Sequence, residues 1–218
     1  MSKANATEND FVKFVFNAVA MPSYGAVAVD CARSLAMLLF AIGHEPPEGL
    51  EWVGIETQSS SNLPELRHNL AVNALKKHNA THILWVDSDM AFPRDSLHRL
   101  LAHDLEIVGA NYPRRQGQHI SAATDLNRQP FKASSTGLEE AGVIGFGLLL
   151  TRIEVFDGEY DMPLFAHHDE HGYCTEDVAF CHKARARGHQ IWVDHDLSRE
   201  VRHIGTISLG HEHMEQAQ

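Results

Sequence analysis

The stretch His82-Ile83-Leu84-Trp85-Val86-Asp87-Ser88-Asp89 decides the fold. An apolar run long enough for a buried strand ends here in two carboxylates spaced two residues apart. On extended backbone, residues i and i+2 point to the same side, so Asp87 and Asp89 converge where the strand reaches the edge of its sheet. Two like charges that close repel each other, and a divalent cation commonly holds them together. Because open α/β sheets bind ligands outside the carboxyl ends of their strands, the pair predicts a metal that binds phosphate. A solvated turn is the alternative.

Strands and helices alternate around this stretch in the first half of the chain. The predicted elements are strands over 11–20, 51–57, 82–86 and 105–110, and helices over 26–42, 63–78 and 93–103. Gly43 is expected to end the first helix, and Pro93 to begin the third, where proline is favoured. This alternation predicts parallel βαβ units.

The second half of the chain has a different pattern. It is polar and irregular from about 116 to 140 and then continues with a strand candidate over 143–151 and a His-rich loop over 161–172. A helix is predicted over 175–187, closed by Gly188, and a short strand over 190–193. The remainder is mostly polar.

Composition indicates an ordinary globular protein. Its 218 residues and 44% hydrophobic content suffice for one compact domain with a core. A formal charge of −11 argues against broad binding to nucleic acid or anionic membranes. Three cysteines indicate a reducing compartment without disulfides. The first ten residues lack the basic start of a signal peptide, and the most apolar helical run, Leu35 to Ile42, is too short to span a membrane. We therefore expect a cytoplasmic protein with no membrane span.

A second Asp-x-Asp sequence competes for the metal. Ile191-Trp192-Val193-Asp194-His195-Asp196 repeats the pattern of a strand followed by two spaced carboxylates. It follows a shorter strand outside the first-half βαβ series, so we rank it second.

Thr175-Glu176-Asp177-Val178 has two explanations. Thr175 can cap a helix, whose first turn favours acidic residues because of the helix dipole. Alternatively, a carboxylate at the rim of a site acts as a general base that deprotonates an attacking hydroxyl.

Three further features carry weaker signals. Arg67 is either a solvated helix residue or one that reaches a diphosphate with bidentate geometry. Gly145-Phe146-Gly147 would let a ligand approach the backbone, although a bulge is the simpler cause. His203 is either structural or a neutral imidazole that completes the metal site of the Asp pair. The sequence lacks the P-loop, dinucleotide-binding and G-x-S-x-G motifs.

Taken in order, these motifs resemble a family-two-like glycosyltransferase of the GT-A fold, over about residues 11–206. The motifs that carry the resemblance are Met21-Pro22-Ser23, Leu66-Arg67-His68-Asn69 (with His68 inserted into the family's Arg-Asn pair), Trp85 to Met90, Gly145 to Arg152, Thr175 to Phe180, and His203. The resemblance implies an α/β, GT-A (Rossmann-like) fold with a mixed sheet flanked by helices in a single domain. Residues 1–110 would form the nucleotide-sugar half and 111–218 the acceptor half.

The same resemblance implies a nucleotide-sugar donor, UDP-linked, with Mn²⁺ or Mg²⁺. Asp89 would bind the metal with help from His203, and Asp87 would contact the metal or the ribose. The residues on the nucleotide side would be Pro22, Ser23, Arg67 and Ser88. If the transfer inverts the anomeric centre, Asp177 would be the base and Glu176 the second candidate. If it retains configuration, Asp177 would orient the acceptor.

The acceptor stays open between a glycan, a protein and DNA. The compact chain resembles stand-alone enzymes of bacteriophages, some of which glycosylate hydroxymethylated pyrimidines in DNA. The charge of −11 argues against DNA, whereas a set of basic residues permits it: Arg114, Arg115, Lys183, Arg185 and Arg187. Two other classes remain. A sugar-nucleotide-forming nucleotidyltransferase usually has a basic loop after its first strand, and Met21 to Val29 contains no basic residue. The other is a non-catalytic nucleotide-sugar binding module.

Overall fold

The computed structural model describes residues 26–50, 53–78, 80–115, 120–156, 165–169, 172–205 and 208–211. The predicted strand over 11–20 and the candidate residues Pro22 and Ser23 lie outside these ranges. The helices are α1 (Val29–His44), α2 (Leu63–His78), α3 (Ser96–Ala102), α4 (Glu176–Ala186) and α5 (His195–Ser198). The strands are β1 (His82–Val86), β2 (Met90–Ala91), β3 (Ile107–Gly109), β4 (Leu138–Ala141), β5 (Leu148–Arg152), β6 (His168–Asp169), β7 (Gly172–Tyr173), β8 (Ile191–Asp194), β9 (Arg202–Ile204) and β10 (Ser208–Leu209).

A five-stranded mixed sheet in the order β1-β5-β3-β8-β4 forms the centre of the described fold. β5 lies antiparallel between β1 and β3, and β3 pairs with β8 in parallel. Consequently β1, β3 and β8 run in one direction, and their carboxyl ends meet at one edge of the sheet. That edge carries Asp87 after β1, Ala110 and Asn111 after β3, and Asp194 at the end of β8.

The two faces of β1 enter two separate apolar layers, because alternate side chains of a strand point to opposite faces. Ile83 and Trp85 lie in a layer with residues of α2, such as Leu66. Leu84 and Val86 lie in the other layer, which includes Leu38 of α1. All of β1 is buried. Burial on both faces explains why this strand is apolar throughout rather than alternating.

A second, three-stranded sheet in the order β10-β9-β2 adjoins the end of β1. In it Met90 pairs with His203, and Ala91 pairs with Arg202. Because β2 begins directly after Asp89, this pairing places a late part of the chain beside the Asp-x-Asp turn. Among the described residues, no helix has both the length and the apolar character needed to cross a membrane.

Several predicted elements are confirmed. β1 and α2 have the predicted bounds, 82–86 and 63–78. Gly188, with φ of +94°, follows the C-cap of α4 as expected for a glycine that ends a helix. The mixed sheet flanked by helices is also as expected.

Several predictions are wrong. Pro93 does not begin α3, whose first residue is Ser96 and whose N-cap is Asp95. Gly43 does not end α1, which continues through it to His44; a single exposed glycine inside a helix is tolerated at a modest loss of stability. Residues 53–57 have no regular secondary structure, although a strand was predicted there; β propensity depends on a partner strand. Finally, β1 and β3 are not adjacent as simple βαβ units require, because β5 from the second half lies between them.

Candidate functional site

The turn after β1 is held by backbone bonds and is partly buried. The Asp87 amide donates to the Gly147 carbonyl at 3.1 Å, and the Met90 amide donates to the Asp87 carbonyl at 3.1 Å. Ser88 is buried, and the side chains of Asp87 and Asp89 are 31% and 22% exposed. These values contradict the alternative of a freely solvated turn. The two carboxylates are partly removed from water and each has a cationic partner.

Arg67 connects Asp87 to the start of α4. Its Nη2 lies 2.9 Å from Asp87 Oδ1, and its Nε lies 3.2 Å from Glu176 Oε1. The Arg67 side chain is 2% exposed, and its guanidinium carbon lies 4.8 Å from the centre of the Phe146 ring. The explanation of Arg67 as a solvated helix residue is therefore wrong. Instead it is a buried cation that fixes two carboxylates from distant parts of the sequence.

Asp89 meets His203 and Arg115. The Ile204 amide donates to the Asp89 carbonyl at 2.6 Å, which fixes β9 beside the turn. As a result His203 Nε2 lies 3.6 Å from Asp89 Oδ1, and Arg115 Nη2 lies 2.7 Å from Asp89 Oδ2. Burial raises the pKa of Asp89, but the neighbouring His203 and the charge of Arg115 outweigh that effect, so this pKa is below its usual value.

Asp89 and His203 fit a divalent cation. His203 Nδ1 lies 2.9 Å from the Pro113 carbonyl oxygen, which can only accept. Nδ1 therefore carries a proton in either charge state of the ring, and the neutral ring, in which Nε2 has a lone pair, is the form that could offer Nε2 to a cation beside Asp89. A separation of 3.6 Å is less than twice the bond of about 2.1 Å that Mg²⁺ makes to its ligands, so one ion can reach both atoms. The described ranges contain no group of three His, Cys, Asp or Glu side chains that could hold an ion.

Glu176 and Asp177 begin α4 but differ in environment. Glu176 is buried and ion-paired with Arg67, and burial raises its pKa even though the charge of Arg67 lowers it. Asp177 is half-buried, and its Oδ1 accepts from the Val178 amide at 2.8 Å and from the Thr175 hydroxyl. Thr175 occupies the N-cap position, yet its side chain makes no capping bond. The Thr175 hydroxyl thus donates to Asp177 instead of capping the helix, whereas the position of Glu176 and Asp177 in the first turn of α4 agrees with the helix-dipole part of the alternative.

The two glycines of Gly145-Phe146-Gly147 make room for a tyrosine. A Cβ on Gly145 would lie 2.4 Å from the Tyr112 hydroxyl oxygen, and one on Gly147 would lie 2.6 Å from Tyr112 Cζ. The Gly147 amide donates to that hydroxyl at 2.9 Å. Neither a bulge nor a ligand is needed to explain these glycines. Tyr112 packs edge-on against His203, with ring centres 5.2 Å apart, and so supports the imidazole.

The rival pair Asp194 and Asp196 has structural partners. Asp194 is the N-cap of α5, where its side chain accepts from the Leu197 amide at 2.8 Å, and its other oxygen lies 3.0 Å from His103 Nε2. Asp196 Oδ1 accepts from the Gly137 amide at 3.3 Å. These contacts explain the repeated pattern without a metal.

Sequence reasoning did not place Tyr112, Pro113 or Arg115 at this site, although all three contact it; Arg115 was considered only among the basic residues that could attract DNA. They follow β3, whose carboxyl end shares an edge with that of β1. The signal that could have found them is this position, because segments that follow parallel strands at one edge converge there.

Comparisons with known proteins support the fold. The sequence matches no protein-family model and no curated protein. Among solved structures, A197 from STIV aligns with a TM-score of 0.63 and 11% identity over 94% of this chain and 95% of that one.

The alignment with A197 and the mixed sheet flanked by helices assign this chain a GT-A-like fold.

Two structures of TarS residues 1–349 from S. aureus also align, with lower scores. One has a TM-score of 0.46 and 14% identity over 84% of this chain and 58% of that chain. The other, in complex with UDP-GlcNAc, has a TM-score of 0.46 and 13% identity over 84% of this chain and 56% of that chain. The fold assignment rests on A197 and on the observed sheet.

Proposed function

We propose that this chain is a metal-dependent glycosyltransferase that moves a sugar from a nucleotide sugar, UDP-linked, to an acceptor hydroxyl. The observation that carries the proposal is the convergence of Asp89 with His203 Nε2, 3.6 Å apart, at the carboxyl end of β1. In a GT-A-like fold this edge is where a diphosphate and its cation would bind.

We assign the following roles to the residues of the site. Asp89 and His203 hold Mn²⁺ or Mg²⁺, and Asp87 contacts the ion or the ribose. When bound, the ion neutralises negative charge on the leaving diphosphate. Arg67 fixes Asp87 and Glu176 by ion pairs, so we assign it to positioning these carboxylates on the nucleotide side. Ser88, Pro22 and Ser23 remain nucleotide-side candidates from the motif resemblance.

Asp177 is a better candidate for the base than Glu176. Arg67 engages the buried Glu176 carboxylate, whereas Asp177 is half-buried and is oriented through Oδ1 by two donors. A base must reach a substrate hydroxyl, which favours the more accessible carboxylate. In an inverting reaction Asp177 would take the proton of that hydroxyl as the oxygen attacks the anomeric carbon.

Hydroxymethylated DNA is the less favoured acceptor. Two of the basic residues that would attract DNA already have acidic partners, since Arg115 pairs with Asp89 and Arg185 Nη1 lies 3.1 Å from Glu140 Oε1. Together with the charge of −11, these pairs reduce the field available to a phosphate backbone. A glycan or protein hydroxyl is therefore the acceptor class to test alongside DNA.

The experiment is a turnover assay with UDP-sugars and Mn²⁺, offered simple glycans, peptides and hydroxymethylated DNA as acceptors. We expect release of UDP, and we expect Asp177→Asn to keep UDP binding while turnover falls at least about 100-fold, in line with general-base catalysis. Asp95→Asn, an exposed carboxylate at the start of α3, is the control and should retain turnover.

Other outcomes would identify another class. UDP binding without turnover of any UDP-sugar would indicate a binding module. Synthesis of a nucleotide sugar from UTP and a sugar phosphate would indicate a nucleotidyltransferase. Full turnover by Asp177→Asn would remove that residue as the base.

A further inference from the structure

The guanidinium of Arg115 pairs with one oxygen of the Asp89 carboxylate, the group that is proposed to bind the cation. Its Nη2 lies 2.7 Å from Asp89 Oδ2, and its Nη1 donates to the Ile204 carbonyl at 3.4 Å. The Arg115 side chain is 48% exposed. Two residues before Arg115, the Pro113 carbonyl accepts a hydrogen bond from His203, so the backbone of this segment contacts the same site. A guanidinium therefore balances the charge of Asp89 in the free protein.

The ion pair between Arg115 and Asp89 would weaken if Asp89 held a divalent cation, because the guanidinium would then lie beside a second positive charge. A metal-bound diphosphate brings new negative charge to the same place. Arginine is well suited to it, because its planar fork donates two parallel hydrogen bonds to phosphate oxygens. An exposed arginine side chain has the length and freedom to exchange one oxyanion for the other.

We propose that Arg115 is a diphosphate-binding residue that neutralises Asp89 in the free protein and transfers to the nucleotide diphosphate when the metal and nucleotide bind. This inference rests on the proposed function, because it assumes that Asp89 binds the cation. In the bound state Arg115 would contact the second phosphate of the nucleotide. Nucleoside diphosphates would therefore be preferred over monophosphates through this residue.

The neighbouring Arg114 provides a matched control. Its amide donates to the Ile120 carbonyl at 2.8 Å, and its exposed side chain forms no ion pair with any described residue. Arg114→Gln and Arg115→Gln thus remove the same charge one residue apart. Only Arg115→Gln removes a contact with Asp89.

The test measures two affinities with opposite expected changes. Binding of Mn²⁺ alone should become about threefold tighter in Arg115→Gln, because a competing cation is gone, as expected for a partly exposed ion pair. Binding of UDP at saturating Mn²⁺ should become about tenfold weaker, which corresponds to about 1.4 kcal/mol, while UMP binding should change little. Arg114→Gln should change each of these affinities by less than twofold. Thermal unfolding of both variants confirms that they are folded.

Any other pattern overturns the inference. If Arg115→Gln binds Mn²⁺ and UDP as the native chain does, the ion pair with Asp89 is only structural. If UMP and UDP weaken equally, Arg115 does not contact the second phosphate. Failure of the proposed function has a separate signature, because in that case the native chain would show no Mn²⁺-dependent binding of UDP at all.

Discussion

Replacing Arg67 with methionine should strongly destabilise the protein. The change keeps an unbranched side chain against Phe146 but leaves the carboxylates of Asp87 and Glu176 without their cation. Removing one partner of a buried ion pair costs about 3–5 kcal/mol. Asp87 is 31% exposed and can regain water, so most of the loss comes from Glu176, which is 8% exposed. We therefore expect a loss of unfolding free energy at the lower end of this range, about 3 kcal/mol. For a chain of this size, that loss lowers Tm by about 6–12 °C.

The assay is urea unfolding of four chains at pH 7: native, Arg67→Met, Glu176→Gln and the double variant. Neutralising Glu176 removes the buried charge, so Arg67→Met should cost much less in the Glu176→Gln background. The destabilisation by Arg67→Met should also shrink toward pH 5. Without Arg67 the pKa of Glu176, already raised by burial, rises further, and the folded variant then binds more protons than the unfolded chain.

An exposed ion pair supplies the control for this prediction. Arg99 Nη1 lies 2.7 Å from Glu200 Oε1, and Glu200 is 54% exposed. Arg99→Met should therefore cost less than about 1 kcal/mol. A loss below 1 kcal/mol for Arg67→Met, or equal losses in both Glu176 backgrounds, would refute the argument that Arg67 holds the two carboxylates.

Three further predictions concern a glycine beside Tyr112, a buried histidine of β1 and the N-cap of α5. Gly145→Ala should cost about 1–3 kcal/mol in unfolding experiments because its Cβ meets the Tyr112 hydroxyl, and part of the loss should return in a Tyr112→Phe background. Burial and the charge of Arg152 lower the pKa of His82 to about 4, so the unfolded chain binds more protons below about pH 6.5. Stability should then fall by about 1–2 kcal/mol between pH 6.5 and 5, and His82→Gln should remove that part of the slope. Asp194→Ala should lose about 1 kcal/mol of capping energy but bind Mn²⁺ and UDP normally; impaired binding would return this Asp to the metal site.

Much of the central fold could be predicted from sequence because local patterns determine it. The apolar run before Asp87 specifies a strand buried on both faces, and its bounds are confirmed. The helix over 63–78 is confirmed as well. The position of β5 could not be predicted in the same way. β5 pairs with two strands that are distant in sequence, since Leu150 lies opposite Leu84 of β1 and Val108 of β3. The apolar pattern alone does not encode which strands pair.

The candidate site likewise combines residues that are close in sequence with partners that are distant in sequence. Asp87 and Asp89 are close in sequence, but the expectation from extended backbone does not apply to them. Residues 87–90 form a turn, in which the Met90 amide donates to the Asp87 carbonyl, and the two carboxylates pair with different cations. Their partners are not local: His203 reaches Asp89 only because β9 pairs with β2, and Arg115 reaches it from the segment after β3. The contact of the glycines at 145 and 147 with Tyr112 could not be predicted for the same reason, since the ring that they accommodate is more than 30 residues away in sequence.

The central claim is that Asp89 binds a cation that in turn binds a nucleotide diphosphate. The most direct measurement is calorimetric titration of UDP into the native chain and Asp89→Ala, each with Mn²⁺ and with EDTA. The account predicts that the native chain binds UDP only with Mn²⁺, and that Asp89→Ala loses this binding while remaining folded. UDP binding in EDTA equal to that in Mn²⁺, or undiminished binding by Asp89→Ala, would contradict it.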